Sequence, residues 1–177
     1  MAKSSTKQIE KDEKKILKEL SKNANKSIND IAKTCGFSRQ KVWRIINNLE
    51  KNKTIWGYTA VIDQEKLNKK RFLMLMKRSN KPISKELLDL ILSRNLANEV
   101  RKTGLEITNS IYTNGLYDWI VSFNAANIIE AKSLVEKFNK LFEGYILEVH
   151  LLEEMFSTVS NGIENPDIKK LKIFFRV

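Results

Sequence analysis

The sequence predicts an α+β chain in two parts, the first helical and closed by a short ribbon, the second of order β-α-β-β-α-β. Three observations carry this. Residues 1–81 hold 21 Lys and Arg against 8 Asp and Glu, a net +13, whereas residues 82–177 hold 11 against 13, a net −2. So sharp a split points to one part that meets a polyanion and one that does not, a solubilising lysine-rich surface being the ordinary alternative. Apolar residues recur at helical spacing as far as Leu49, while short apolar runs and period-two alternation enter after Phe72.

In the first part, Ile9, Ile16, Leu17 and Leu20 lie on one face of a helix. Asn23, Ala24 and Asn25 break the pattern. Ser27 with Asp30 three residues on is a capping-box arrangement, and it opens a short helix with Ile28, Ile31, Ala32 and Cys35 inward. Gly36 follows where the chain must turn sharply. Ser38 caps a third helix, predicted over 38–52, whose inward stripe is Val42, Ile45, Ile46 and Leu49. A short helix, a tight turn at one glycine and a longer capped helix make a helix-turn-helix. Ile55 to Ile62 reads as a β-hairpin turning near Gly57, the wing of a winged helix-turn-helix.

The second part opens on Phe72 to Met76, an apolar run bounded by charges and predicted to be a buried strand. Ser84 precedes a helical stripe of Leu87, Leu88, Ile91 and Leu92, with its end left open. Leu105 to Tyr112 is a strand, and Asn114-Gly115 is the strongest short hairpin signal. Tyr117, Trp119, Val121 and Phe123 alternate along the next strand. Asn127 caps a helix carrying Ala131, Leu134, Val135, Phe138, Leu141 and Phe142, with Gly144 at its C-terminus. Tyr145 to Phe156 is a last strand with Leu147, Val149 and Leu151 facing one way. This order is the ferredoxin-like one. Two strands, Phe72–Met76 and Trp119–Val121, are apolar on both faces, so the sheet surface left bare by the helices calls for a second subunit. The tail ends in Leu171, Ile173, Phe174, Phe175 and Val177, too apolar for a disordered tail. The predicted divisions are 1–63 for the winged helix-turn-helix, 64–70 for a polar linker, 71–156 for the ferredoxin-like domain and 157–177 for a C-terminal extension.

No apolar run approaches the roughly 18 residues of a membrane span, and the lysine-rich first residues hold no secretory signal. Cys35 is the only cysteine, as suits a reducing cytoplasm. The third helix presents Arg39, Gln40, Lys41, Trp43, Arg44, Asn47 and Asn48 away from its apolar stripe. Arg and Lys match guanine O6/N7, and Asn and Gln match adenine N6/N7, in a groove that admits a helix. Lys33, Lys51 and Lys53 are placed for phosphates, and Ser38 sits where helix N–H groups could hold one. Any single helix has a solvated polar face. The turn, the ribbon and the confined charge together favour double-stranded DNA as the partner. Trp43 either touches DNA or packs on the wing. His150, the sole histidine, reads as a surface or subunit-contact residue rather than a general base. No catalytic set, metal cluster or phosphate loop is found, so no cofactor is expected. Glu148, Glu153 and Glu154 form an ordinary charged strand end.

These residues resemble the leucine-responsive/asparagine-regulator (Lrp/AsnC) family of transcription regulators. The matching stretches are Lys15–Leu20, Ser27–Ala32, Gly36–Ser38, Val42–Glu50 and Ile55–Tyr58, ending at Val61-Ile62-Asp63, with Gly115–Asp118 resembling the family's Gly-x-Tyr-Asp hairpin. The similarity covers roughly residues 7–156. Lys53 stands where the family has glycine, which would shift the left-handed position to Asn52. The segment from Ser79 to Gly104 is longer than usual and the C-terminal tail is an addition. The resemblance implies a homo-oligomer, a dimer or higher, on pseudo-palindromic promoter DNA in the cytoplasmic nucleoid. It also implies a small effector such as an amino acid, held between subunits near Gly115, Tyr117 and Asp118. Asn114-Gly115 serves the turn in any case, Tyr117 belongs to the aromatic face and Asp118 could simply pair with a lysine. The alternatives are a sirohaem-decarboxylase-like enzyme of the same architecture, which one histidine and a net −2 second half fit poorly, and a winged helix used only for protein contacts.

Overall fold

The computed structural model describes residues 6–175, with the side chains of residues 96, 97 and 99 set aside. The chain divides into two compact units. One holds the described residues up to Val61 together with the segment from Thr158, and the other spans Ile62–Ser157.

The first unit is built on α1 (Thr6–Lys22), α2 (Ile28–Cys35) and α3 (Arg39–Lys51). Its core is Ile16, Ile31, Ala32, Val42, Ile45 and Leu49, with Leu17, Leu20, Ile28, Cys35, Phe37, Ile46 and Ile55 packed around it. Both caps form. Ser27 Oγ accepts the Asp30 N–H at 3.1 Å and donates to Asp30 Oδ2 at 2.6 Å, and Ser38 Oγ accepts the Lys41 N–H at 3.2 Å. Gly36 is left-handed (φ 69°), so the Phe37 N–H reaches Ala32 O at 2.9 Å and closes the end of α2 before α3 begins.

Three expectations for this unit are corrected. Ile9 is exposed, and the inward face of α1 holds Asp12 and Glu19 beside Ile16, Leu17 and Leu20. Residues 56–63 form no paired strand, because a two-stranded ribbon with one solvated face is marginal by itself. The wing position is therefore an unpaired, exposed segment. Lys53, not Asn52, takes the left-handed conformation (φ 64°), while Asn52 Oδ1 accepts the Thr54 N–H at 3.1 Å. That Asx turn holds the backbone in the conformation a glycine would otherwise supply. The segment from Thr158 carries a two-residue hairpin, β5 (Val159–Ser160) and β6 (Ile163–Glu164), turned by Asn161 and Gly162, both at positive φ. A short α7 (Leu171–Phe175) follows, and Val177 lies outside the described residues.

The second unit opens, within the segment expected as a polar linker, on a 3₁₀ turn, Gln64–Leu67, capped by Asp63. Then come β1 (Lys70–Arg78), α4 (Lys85–Leu92), α5 (Asn95–Lys102), β2 (Glu106–Tyr112), β3 (Trp119–Ala125), α6 (Ile128–Leu141) and β4 (Ile146–Glu153). The strands form one antiparallel sheet in the order β2-β3-β1-β4, the ferredoxin-like arrangement. The open end of the first helical stretch resolves into two helices, broken at Arg94, which is left-handed (φ 58°).

Phe72, Met74 and Met76 of β1 and Trp119, Val121 and Phe123 of β3 pack against Ala131, Leu134, Phe138 and Phe142 on the helix side. Val149 and Leu151 of β4 join them, but Leu147 does not: it is 68 % exposed. A bulge where Arg78 pairs with Ile146 turns Ile146 inward in its place. The opposite face carries Leu73 and Leu75 of β1, beside Ile120 and Ser122 of β3, Ile111 of β2, and His150 and Leu152 of β4. Leu73, Leu75 and Ile120 are only half-buried there, and Ile111 and Leu152 are exposed.

The β2–β3 connection is also corrected. Neither Asn114 nor Gly115 has positive φ, and the strands are joined by the six-residue stretch from Thr113 to Asp118 instead of a two-residue turn. The Thr113 N–H donates to Asp118 O at 2.9 Å and its hydroxyl donates to Tyr117 O.

Candidate nucleic-acid interface

The predicted contact residues fall into two groups in the structure. Arg39, Gln40, Trp43, Arg44 and Asn48 are exposed on the outward face of α3, Trp43 at 57 %, with Asn47 half-buried beside them. The apolar spacing of Val42, Ile45 and Leu49 fixes this, because it commits the other side of the helix to the core. Lys33 on α2, and Lys51 and Lys53 at the end of α3, are exposed as well. Ser38 uses its hydroxyl as the helix cap, and its backbone leads into the N–H groups of the first turn.

Lys41 behaves differently. Its ammonium reaches back to Asp12 Oδ2 on α1 at 2.6 Å and lies 4.1 Å from the centre of the Phe37 ring. It ties α1, the turn and α3 together, and its charge is directed into the domain. Asp12 is buried, and its carboxyl is held below the ordinary aspartate range chiefly by the hydrogen bond from Lys41, against the opposing effect of burial, with Gln8 donating a second bond at 2.8 Å. Glu19, about two turns further along α1, is lowered to about 2 by hydrogen bonds from Lys22 at 2.8 Å and Lys26 at 2.5 Å. Sequence periodicity missed both carboxylates, since a buried ion pair leaves no apolar mark. The only sign was the gap between Ile9 and Ile16, which Asp12 fills.

Beyond Lys53, the segment after α3 was not among the expected contacts, and it contributes the most exposed large apolar side chain among the described residues, Trp56 at 95 %. Tyr58 Oη donates to Glu50 Oε1 at 3.0 Å and so fastens this segment to the last turn of α3.

In the second unit, the residues expected to hold an effector come together at the β2–β3 connection. Asp118 Oδ2 accepts the Arg78 N–H at 2.8 Å and the Asp118 N–H donates to Met76 O at 2.9 Å, so this side chain caps the end of β1. Tyr117 stands edge-on to His150, with ring centres 5.6 Å apart. A side chain at Gly115 would meet nothing within 4 Å. His150 Nε2 lies 2.7 Å from Glu148 Oε1, Glu153 pairs with Lys70 at 2.5 Å and Glu154 with Arg71 at 3.6 Å, so each carboxylate of that strand end has its own basic neighbour. Among the described residues no helix is long and apolar enough to cross a membrane.

A helix-turn-helix joined to a βαββαβ domain with this strand order is the Lrp/AsnC architecture, and this chain has that fold. Residues 13–55 match the family of winged helix-turn-helix DNA-binding domains. Solved structures support the fold over nearly the whole chain. An AsnC family transcriptional regulator from Agrobacterium tumefaciens is 22 % identical with a TM-score of 0.62, covering 89 % of this chain and 97 % of its own. LrpC of B. subtilis is 19 % identical with a TM-score of 0.54, over 90 % and 100 % of the two chains. A transcriptional regulator from Neisseria meningitidis, solved in complex with L-Met, is 15 % identical with a TM-score of 0.63, over 90 % and 97 %. Comparison with curated protein sequences gives no match.

Proposed function

We propose that this protein is a sequence-specific DNA-binding transcription regulator that works in the cytoplasm as a homo-oligomer and responds to a small molecule. The observation that carries the reading is the outward face of α3. Arg39, Gln40, Arg44 and Asn48 stand free of the core on a capped helix, within a segment that matches DNA-binding domains and in the half of the chain with net +13. The start of such a helix meets base edges in the major groove, and Lys33, Lys51 and Lys53 then lie along phosphates. Lys41 drops out of the base-reading set, since its ammonium is already engaged by Asp12.

The test is selection of bound duplexes from random sequence with the full chain, followed by titration against salt. Arg44→Ala is expected to weaken binding to the selected duplex about five- to a hundred-fold and to relax preference at one base pair. Equal loss on every duplex would reassign Arg44 to a phosphate. Binding that shows no dependence on salt and no sequence preference would reject the reading in favour of a protein-contact module.

The bound L-Met of the Neisseria relative supports an amino acid as the effector, and Gly115, Tyr117 and Asp118 are where we place it. One oxygen of Asp118 already serves Arg78, which leaves Oδ1 for an ammonium group. A thermal-shift screen of the twenty amino acids is expected to yield a stabilising compound whose effect on DNA binding disappears in Asp118→Asn. A response unchanged in that variant would move the site elsewhere. An effector acts only by favouring one assembly or DNA-bound state over another, so a hit must shift DNA affinity as well as melting.

A further inference from the structure

The chain contains two Asn-Gly pairs, and they are held in opposite ways. Asn161 and Gly162 are both left-handed, φ 49° and 79°, at the turn of the β5–β6 hairpin, with Ser160 paired to Ile163 and Val159 to Glu164 on either side. Asn114 and Gly115 serve no such turn. The connection that carries them is clamped at its base, where the Thr113 N–H donates to Asp118 O at 2.9 Å and Asp118 Oδ2 accepts the Arg78 N–H at 2.8 Å. Beyond those bonds Asn114, Gly115 and Leu116 bow outward as an exposed bend. Gly115 lies outside the left-handed region, and a side chain there would meet nothing within 4 Å.

We propose that Asn114 is a modification site, at which the chain converts itself to aspartate and isoaspartate, and that Asn161 is spared. The Gly115 N–H gives its proton to solvent base, and its nitrogen bonds to Asn114 Cγ, unshielded by any side chain of its own. The Cγ–Nδ2 bond breaks and ammonia leaves, closing a succinimide ring. Water then opens the ring. Breaking the nitrogen's bond to Cγ gives aspartate, and breaking its bond to the main-chain carbonyl carbon gives isoaspartate, with the chain running through Cγ. The sum is amide plus water to carboxylate plus ammonium, with nothing oxidised or reduced. Geometry chooses between the two pairs. The peptide is a rigid plane, so the glycine nitrogen reaches Cγ only if the whole Asn–Gly plane turns. At Asn161 that plane joins two left-handed residues across paired strands, the arrangement a two-residue hairpin demands, and the hairpin must open first. Each ~1.4 kcal/mol of such opening slows the reaction about tenfold. At Asn114 the clamping bonds lie outside the plane that turns. The product adds a negative charge to the loop that ends in Tyr117 and Asp118, and isoaspartate adds one backbone atom as well.

The experiment ages the full chain in mildly alkaline buffer, with a second sample kept unfolded in denaturant. Digestion and mass spectrometry with electron-transfer fragmentation then distinguish asparagine, aspartate and isoaspartate at each pair. In the folded chain Asn114 is expected to convert about tenfold or more faster than Asn161, and in the unfolded chain the two are expected to convert alike. Gly115→Ala is the matched variant. Its backbone accepts the methyl group without strain, since φ is not left-handed and the space is open, yet the methyl group shields the attacking nitrogen. It is expected to keep the circular dichroism of the unaltered chain and to lose the products at Asn114 over the same period. Asn114 that stays intact in the folded chain while the unfolded chain converts overturns the proposal, because the fold then protects this pair. Equal conversion of Asn114 and Asn161 in the folded chain also overturns it, as does undiminished conversion in Gly115→Ala, which would rule out attack by the glycine nitrogen.

Discussion

Replacing Lys41 by methionine is expected to destabilise the first unit by about 3 kcal/mol, far more than a change on an outward helix face. An exposed face costs within about half a kcal/mol per substitution. Lys41 is instead one half of an ion pair whose other half, Asp12, is buried, at 2.6 Å. Removing the lysine strands a carboxylate in the interface between α1 and α3, and breaking such a pair from one side typically costs 3–5 kcal/mol. The lower end of that range applies because the Lys41 side chain is itself a third exposed. Loss of the ammonium over the Phe37 ring adds to it. Replacing both members, Asp12→Leu with Lys41→Met, is expected to recover most of the loss, since no charge is then left buried. Denaturant unfolding of the four proteins of this double-mutant cycle measures the coupling. If Lys41→Met unfolds like the unaltered chain but loses DNA affinity, the lysine faces the groove in solution and the pair with Asp12 is incidental.

What sequence conveyed and what it concealed follow the same physics. The caps at Ser27, Ser38 and Asn127 were legible because each needs only one side chain and the N–H groups of the next turn. The stripe Val42, Ile45, Leu49 and the alternation Trp119, Val121, Phe123 were legible because burial follows helix and strand periods. Features set by long-range pairing were not. The bulge that turns Ile146 inward and Leu147 outward arises from the match between β4 and β1, some seventy residues apart, and leaves no local trace. An Asn-Gly pair does turn two short strands at Asn161-Gly162, where no hairpin was expected. The same signal did not hold at Asn114-Gly115, where the end of β1 and Asp118 hold a longer connection. In the candidate site, the exposed face of α3 was readable from periodicity, whereas the inward pull on Lys41 required knowing that Asp12 of α1 lies opposite it. Trp56 was visible as a residue, but its full exposure depends on the predicted ribbon failing to pair.

Leu75→Asp is expected to convert the proposed homo-oligomer, a dimer or a multiple of dimers, to a monomer. Leu75 sits in β1, one of the two central strands, between Ile120 and His150 on the sheet face turned away from the helices. Leu73, Ile120, Ile111 and Leu152 continue the apolar surface on either side. Water is a poor neighbour for these side chains. Burying one leucine fully contributes about 1.5–3 kcal/mol, and a two-fold interface counts every residue twice. An aspartate there replaces that contribution with a buried, unpaired charge in both subunits. The combined change, upward of about 4 kcal/mol, corresponds to a dissociation constant raised at least a thousand-fold. The fold itself should survive, because the core of Phe72, Met74 and Met76 lies on the other side of the same strand. Sedimentation at micromolar concentration reads the association and circular dichroism checks the fold. DNA binding should fall with the dimer, since two recognition helices held a helical turn apart, or a multiple of it, bind a two-fold site far more tightly than one. A Leu75→Asp chain that remains dimeric would place the subunit contact elsewhere, and this sheet face would then need another partner to cover it.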